Sequence, residues 1–166
     1  SGLVKEKVFS PQTNIETLQV RPISKSSSLQ RAGRAGREAP GECYRLYTRE
    51  AFQGLDTMPV AEIHRTELSG AALQLYAMHL DPFTFDWIDP PDQALLQEAV
   101  LHLAELGAIQ SPRDGIQLTP LGRQLASLPL TPSYARLLLA AAEQGPHVAS
   151  QACDLVSILS ADRGIF

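Results

Sequence analysis

The sequence of 166 residues predicts a mostly helical protein with small β parts. Between residues 67 and 159, apolar residues recur at helical spacing in separate stretches. Shorter β-prone runs, divided by turn residues, lie near the start and around residues 108–118. The charge also divides the chain. Residues 1–50 carry nine Lys or Arg and five Asp or Glu (net +4), whereas residues 51–166 carry five and thirteen (net −8). We therefore expect anion binding in the first fifty residues.

The first fifty residues predict a hairpin, a helix and a third strand. Residues 3–9 and 15–20 have strand character, and Ser10 to Asn14 between them supplies turn residues. A helix is predicted from Ser26 to Ala35, capped by Ser26 or Ser27. Glu42 to Tyr47 alternates in the manner of a strand. Because about three strands cannot complete a sheet, we interpret this region as the tail of a larger α/β domain.

The remainder predicts helices around a small two-stranded wing. After a linker from Gln53 to Pro59, the predicted helices are Glu67–Leu80, Asp92–Leu106, Thr119–Leu128, Pro132–Gln144 and Val148–Leu159. Asp92 and Thr119 are expected caps, and Gly107 is expected to end the second helix. Ala108 to Leu118 contains turn residues at its centre, which predicts the wing. Helix, helix, wing and short helix form a winged-helix pattern.

Aromatic residues alternate between two of these helices. The segment from Asp81 to Pro91 is rich in turn residues and holds Phe83, Phe85 and Trp87 at every second position. This alternation is typical of a half-buried strand, so we expect the rings to anchor the core rather than stack on bases. The helix from Asp92 to Leu106 has no Lys or Arg. It lacks the charge for docking on phosphates, so we expect it to act as a scaffold.

Several classes of protein and site are not favoured. No apolar run reaches the ~18 residues of a membrane span, and the start lacks the apolar core of a signal peptide. Cys43 and Cys153 lie far apart, and we expect two buried free thiols rather than a disulfide. The four histidines are scattered, so no metal site is predicted.

The run QRAGRAGR, Gln30 to Arg37, places Arg31, Arg34 and Arg37 at a spacing of three. On a helix these guanidinium groups would share one arc, and each matches phosphate oxygens. The intervening glycines leave room for another backbone or a bulky anion, although each costs about 1 kcal/mol in a helix. A solvent-exposed basic helix without a ligand would be more stable without these two glycines.

This run resembles motif VI of the superfamily 2 helicases, in the form found in the DEAH/RHA group of RNA helicases. Other landmarks of the group follow in order, and the resemblance covers nearly the whole chain. They are PISK (Pro22–Lys25), GECYRLYT (Gly41–Thr48), AEIHRTEL (Ala61–Leu68), IDPP (Ile88–Pro91) and LTPLGR (Leu118–Arg123). The chain departs from the group at Ala61, where proline is usual, and at Glu67, where a small polar residue is commoner.

The resemblance implies three regions and a set of site residues. Residues 1–53 would end the second RecA-like domain, residues 60–129 would form a winged helix, and residues 130–166 would begin the ratchet, a helical bundle. Gln30 would help hold the γ-phosphate of ATP or the attacking water. Arg34 and Arg37 would be arginine fingers. For Arg31 we expect a structural ion pair.

The chain has no GxxxxGK[ST] phosphate loop and no DEAH motif. The fragment alone is therefore expected to be inactive, and the intact protein would use ATP and Mg²⁺ with the Mg²⁺ ligands elsewhere. Lys5 and Lys7 would lie on one face of the first strand, in a hairpin that the resemblance places beside the bound RNA. The alternative for these lysines is protection of an edge strand against aggregation.

The resemblance implies an ATP-dependent RNA helicase that couples hydrolysis to translocation, unwinding or remodelling of ribonucleoproteins. Single-stranded RNA would be its partner, with an activator protein as a further one and no membrane. The expected location is intracellular, in the nucleus or nucleolus, with a role in ribosome biogenesis. Pre-mRNA splicing, a DNA helicase and a non-catalytic protein-binding module using the acidic region are the alternatives.

Overall fold

The computed structural model describes residues 1–10, 15–110 and 115–161. The chain divides into two compact units, Ser1–Thr66 (unit 1) and Glu67–Phe166 (unit 2). The described residues form seven α-helices and two small antiparallel sheets. The predicted class, mostly helical with small β parts, is confirmed.

Unit 1 begins with the predicted hairpin. Strand β1 (Leu3–Ser10) pairs antiparallel with β2 (Ile15–Pro22) over eight residues each. Most of the predicted turn, residues 11–14, lies outside the described residues. Helix α1 (Lys25–Ala32) follows, and its cap is Ser24, whose hydroxyl accepts a hydrogen bond from the Ser27 N–H at 3.1 Å. The cap therefore lies earlier than either serine that the sequence predicts.

Helix α1 is shorter than predicted. It ends at Ala32, and Arg34 and Ala35 continue in a turn, where their N–H groups donate to Arg31 and Ala32 at 3.2 and 3.1 Å. The change coincides with Gly33, since glycine stabilises a continuing helix least among ordinary residues. The prediction of a helix that continues to Ala35 is therefore wrong, and Arg34 and Arg37 lie beyond its end.

The predicted strand from Glu42 to Tyr47 is also wrong. This segment has no regular structure, and no described strand pairs with it. A strand depends on hydrogen bonds to a neighbouring strand, so alternation alone does not form one. Two short helices that the sequence analysis missed come next, α2 (Arg49–Gln53) and a 3₁₀ turn at Glu62–His64.

Unit 2 confirms the predicted order of helix, helix, wing and helix. Asp92 and Thr119 cap their helices through side-chain oxygens, and Gly107, at φ +72°, follows the second helix. The tip of the wing, residues 111–114, lies outside the described residues. The elements are α3 (Ser69–Ala77), α4 (Gln93–Glu105), β3 (Ile109–Gln110), β4 (Gln117–Leu118), α5 (Pro120–Ser127), α6 (Pro132–Glu143) and α7 (Pro146–Ser160).

The core of unit 2 joins α3 to α4, the wing, α5 and α6. Leu103 of α4 and Leu125 of α5 are 0% and 1% exposed, and the predicted inward positions Leu96 and Ala99 are buried as well. The core cluster consists of Ala72, Leu73, Tyr76, Leu103, Ala108, Ile109, Leu125 and Ala135. Apolar burial of this kind is the main favourable term that holds the winged-helix elements together.

The segment with the aromatic residues is turn-rich, as predicted, but it contains no strand. Asp81 accepts a hydrogen bond from the Phe83 N–H at 3.0 Å, and this local bond favours a turn. Phe83 and Phe85 are exposed rather than buried. Trp87 packs edge-to-face on Phe85 with 4.9 Å between ring centroids and donates its Nε1–H to the Pro82 carbonyl at 3.0 Å.

Cys43 and Cys153 are free thiols, as predicted, but both are exposed rather than buried. Among the described residues, no three or more His, Cys, Asp or Glu side chains are grouped to hold a metal ion. No helix in the described part of the chain combines the length and apolarity that crossing a membrane requires.

Candidate functional site

The candidate site consists of Gln30, in the last turn of helix α1, and the arginine turn, which we define as residues 33–37, directly after α1. Helix α1 is anchored at its other end. The Lys25 and Ser26 N–H groups donate to the carbonyls of Asp56 and Thr57 at 2.8 and 3.1 Å. The hydroxyls of Ser28 and Tyr47 lie 2.6 Å apart, which fixes the middle of the helix. These supports were not foreseen in the sequence analysis, because the partners lie 19 or more residues away.

Gln30, Arg34 and Arg37, the residues predicted to contact ATP, are exposed. Gln30 lies in α1, whereas Arg34 and Arg37 lie beyond its end. Within the described part of the chain, none of their side chains has a hydrogen bond or ion pair recorded to another residue. Each guanidinium keeps its planar fork of five donor hydrogens, and the glutamine keeps its amide. The turn thus presents unused donors and two permanent positive charges.

The glycines of the turn leave open space beside these donors. A Cβ added at Gly36 would meet no atom within 4 Å, and one added at Gly33 would make only ordinary contacts of 3.6 Å. Gly33 has an ordinary right-handed conformation (φ −64°). Neither glycine is therefore required by packing inside this chain. Gly41 differs, because its Cβ would lie 2.0 Å from the Ala35 carbonyl oxygen.

Arg31 differs from Arg34 and Arg37, because its side chain has hydrogen-bond partners. Its Nη1 donates to the carbonyl oxygens of Ser1 and Leu3 at 3.0 and 3.2 Å, and its Nη2 donates to Leu3 at 3.3 Å. The ion pair predicted for Arg31 is not found among the described residues, because its guanidinium bonds two backbone carbonyls instead of a carboxylate.

Lys5 and Lys7 lie on one face of the hairpin, as predicted. They stand opposite Val20 and Leu18 in the strand register, and all four residues are exposed. At this point β1 is not an open edge. The Lys7 carbonyl accepts from Arg65 Nη1 at 3.0 Å, and the Arg65 carbonyl accepts from the Phe9 N–H at 2.8 Å.

A cavity of about 710 Å³ lies within unit 1, between the start of β1, the N-terminal end of α1 and residues 54–60. Arg31 and Tyr47 line it, whereas Gln30, Arg34 and Arg37 do not. The arginine turn is thus an exposed surface of this unit and not the wall of its cavity.

Comparison with known proteins gives matches over the whole chain. Residues 99–130 match the helicase associated domain (HA2), winged-helix. The chain is 40% identical over 163 residues to the ATP-dependent RNA helicase DHX33 of Homo sapiens, covering 98% of this chain and 23% of that protein. It is 40% identical over 146 residues to the pre-mRNA-splicing factor ATP-dependent RNA helicase prp22 of Schizosaccharomyces pombe, covering 87% of this chain and 12% of that protein.

A solved structure shows the same fold. The crystal structure of the Escherichia coli DEAH/RHA helicase HrpB superposes with a TM-score of 0.85 at 28% identity, covering 99% of this chain and 20% of that one. The chain therefore spans less than a quarter of the length of each protein named.

Proposed function

We propose that this chain is the C-terminal part of a DEAH/RHA-type RNA helicase with an HA2 winged helix, and that the intact protein is an ATP-dependent RNA helicase. The observation that carries the proposal is the arginine turn together with Gln30. Gln30, Arg34 and Arg37 have unused donors, and no described residue packs where a side chain at Gly36 would lie. Donors and space at one surface are what a polyanionic ligand needs.

The chemistry of these side chains suits the γ-phosphate of ATP. In phosphoryl transfer, charge spreads over the equatorial oxygens of the transferred group, and positioned cations stabilise it. Arg34 and Arg37 are proposed as the fingers that supply this charge, and Gln30 is proposed to hold the γ-phosphate or the attacking water. Removing an arginine finger costs on the order of 10³–10⁵ in rate.

The rest of the active site must come from another part of the intact protein. The printed sequence has no GxxxxGK[ST] phosphate loop and no DEAH motif, so the Mg²⁺ ligands are not among its residues. The chain by itself is therefore proposed to be inactive, and to complete an ATP site whose phosphate loop lies elsewhere.

RNA is the proposed partner of the hairpin. Lys5 and Lys7 sit on an exposed face, and the unit that carries them holds most of the positive charge of the chain. Lysines contact phosphates without regard to sequence, which suits a motor that moves along a strand. Ribosome biogenesis in the nucleus or nucleolus is the proposed setting, with pre-mRNA splicing as the alternative.

The proposal is tested by ATP hydrolysis of the intact protein, with and without single-stranded RNA. Wild type should be stimulated by RNA, and Arg34→Ala should lose at least about 10³-fold in rate. Arg21→Ala is the matched control, since the side chain of Arg21 bonds, among the described residues, to Gln19 on its own strand. Full activity of Arg34→Ala would refute the finger role. Stimulation by single-stranded DNA instead of RNA would favour a DNA helicase.

A second candidate, a non-catalytic protein-binding module, is favoured by the acidic character of unit 2. Residues 67–166 carry eleven Asp or Glu and four Lys or Arg, and Phe83 and Phe85 are exposed among them. The upstream reading frame distinguishes the candidates, because a catalytic parent must encode a phosphate loop and a DExH motif.

A further inference from the structure

We infer that Arg31 is a positioning residue that couples the β1–β2 hairpin to the arginine turn, and that it sets RNA-stimulated rather than basal ATP hydrolysis. The inference rests on the proposed function, in which the hairpin contacts RNA and the arginine turn contacts ATP. It assigns Arg31 a role separate from that of Arg34 and Arg37, although the three share one motif.

The side chain of Arg31 holds the start of β1. Its guanidinium donates to the carbonyls of Ser1 and Leu3, three hydrogen bonds of 3.0–3.3 Å in all. A planar guanidinium bridges two acceptors in a fixed geometry that an ammonium group cannot reproduce. Because the acceptors are main-chain atoms, movement of the β1 backbone acts directly on this side chain.

The backbone of the same residue holds the arginine turn. The Arg31 carbonyl accepts the hydrogen bond from the Arg34 N–H at 3.2 Å, the first bond of the turn after α1. Arg31 thus contacts β1 through its side chain and Arg34 through its carbonyl. Lys5, on the exposed face of β1, is only two residues beyond Leu3, whose carbonyl Arg31 binds.

Two further contacts tie residues 1–3 to α1. The Ile23 N–H, just before α1, donates to the Gly2 carbonyl at 3.0 Å. Tyr47 packs on Gly2 so closely that a Cβ there would lie 2.9 Å from the ring, and its hydroxyl is 2.6 Å from that of Ser28 in α1. The start of β1 is therefore held against α1 on several sides, and Arg31 makes the contact nearest to the arginine turn.

The test uses the intact protein and compares basal with RNA-stimulated hydrolysis in three variants. Arg31→Gln should keep basal turnover within about twofold and lose roughly tenfold in RNA stimulation, the effect that one charged hydrogen bond produces on a rate. Arg31→Lys should be intermediate, since lysine keeps the positive charge but lacks the planar fork with which arginine holds both carbonyls. Arg21→Gln removes a charge from β2 together with the side-chain hydrogen bonds to Gln19 of the same strand. It should behave as wild type.

The outcomes separate the inference from the proposed function. Full RNA stimulation in Arg31→Gln overturns the inference. So does an equal loss of basal and stimulated rates with a lowered melting temperature, because that marks a merely structural residue. If Arg31→Gln does not fold, the ratio of RNA-stimulated to basal hydrolysis in Arg31→Lys decides whether the inference stands. A folded wild type without ATP hydrolysis refutes the proposed function itself, whereas an RNA-stimulated wild type leaves only Arg31 in question.

Discussion

Replacing Gly36 should affect the activity of the intact protein but not its stability. Its Cβ would meet nothing within 4 Å, and its backbone does not require glycine. We expect Gly36→Ala to leave the melting temperature of the intact protein unchanged or slightly raised, because alanine restricts the unfolded chain more than glycine does. If a ligand or a second domain uses the open space, ATP hydrolysis should fall by about tenfold or more.

The matched control is Gly41→Ala. Its Cβ would lie 2.0 Å from the Ala35 carbonyl oxygen, so this variant should lower the melting temperature. If Gly36→Ala hydrolyses ATP at the wild-type rate and is equally stable, then no ligand or domain uses the open space beside Gly36.

Tyr76 provides a second prediction for a single side chain. It is 7% exposed, and its hydroxyl is buried without a hydrogen-bond partner among the described residues. Replacement by phenylalanine keeps the ring and removes an unpaired polar group. We expect Tyr76→Phe to be as stable as wild type or more stable by up to about 1 kcal/mol at neutral pH. The measurement is urea unfolding of the chain followed by Trp87 fluorescence, since the sequence has one tryptophan.

The same residue predicts a dependence on alkaline pH. Burial, helped by the Asp81 carboxylate, raises the pKa of Tyr76 to about 12 from 10.0. The folded state therefore favours the neutral phenol, and this contribution to stability is complete below pH 10 and is lost as pH rises through about 12. Tyr76→Phe should remove that loss. If the urea midpoint of Tyr76→Phe decreases from pH 10 to pH 12 as much as that of wild type, this prediction is contradicted.

At the scale of elements, sequence reasoning succeeded where the cause is local. Asp92, Thr119 and Gly107 mark helix ends by their own side-chain or backbone chemistry, and all three are where the pattern predicts. It failed for Glu42–Tyr47, because a strand depends on a neighbour that alternation does not reveal. In the loop with Phe83 it predicted the turns, but alternation did not reveal that Phe83 and Phe85 are exposed.

The candidate site shows the same division. The residues of the arginine turn come directly from the sequence motif, and Lys5 and Lys7 share a face because strand periodicity requires it. The contact of Arg31 with Ser1 and Leu3 joins residues 28 to 30 positions apart, so no local pattern contains it. The sequence therefore predicted these candidate binding residues and missed the contact of Arg31 with the start of β1.

The packing of α5 on the wing depends on one glycine. A Cβ at Gly122 would lie 2.0 Å from the Ala108 carbonyl oxygen and 2.8 Å from Leu118 Cδ2. Because the nearest atom belongs to the backbone, it cannot give way cheaply. We expect Gly122→Ala to destabilise unit 2 by about 2 kcal/mol or more in urea unfolding followed by Trp87 fluorescence.

Gly70→Ala is the control for this substitution. Gly70 also lies in a helix of unit 2, but the atom nearest to an added Cβ is 3.9 Å away, on Pro132. It should be neutral or stabilising by up to about 1 kcal/mol, through helix propensity. Equal effects of the two substitutions would mean that α5 is free to shift away from the wing.

At the scale of the whole molecule, the two units differ in how much core they contain. Of the sixteen buried hydrophobic residues recorded among the described ones, fifteen lie in unit 2, and only Ile23 lies in unit 1. Both units also expose large apolar side chains, for example Leu18 and Met58 in unit 1 and Ile88 in unit 2, so the difference between them lies in the buried residues. Apolar burial is the main favourable term in folding, so the units should differ strongly in stability.

This difference predicts the order in which the 166-residue chain opens. Limited proteolysis should cut within residues 1–66 first and leave a resistant fragment that begins near Glu67, because cleavage follows the least stable cooperative part. Trp87 fluorescence should stay native while those cuts accumulate, since Trp87 belongs to unit 2. Simultaneous loss of both units, or earlier cutting within unit 2, would show that unit 1 obtains its stability from something other than its own core.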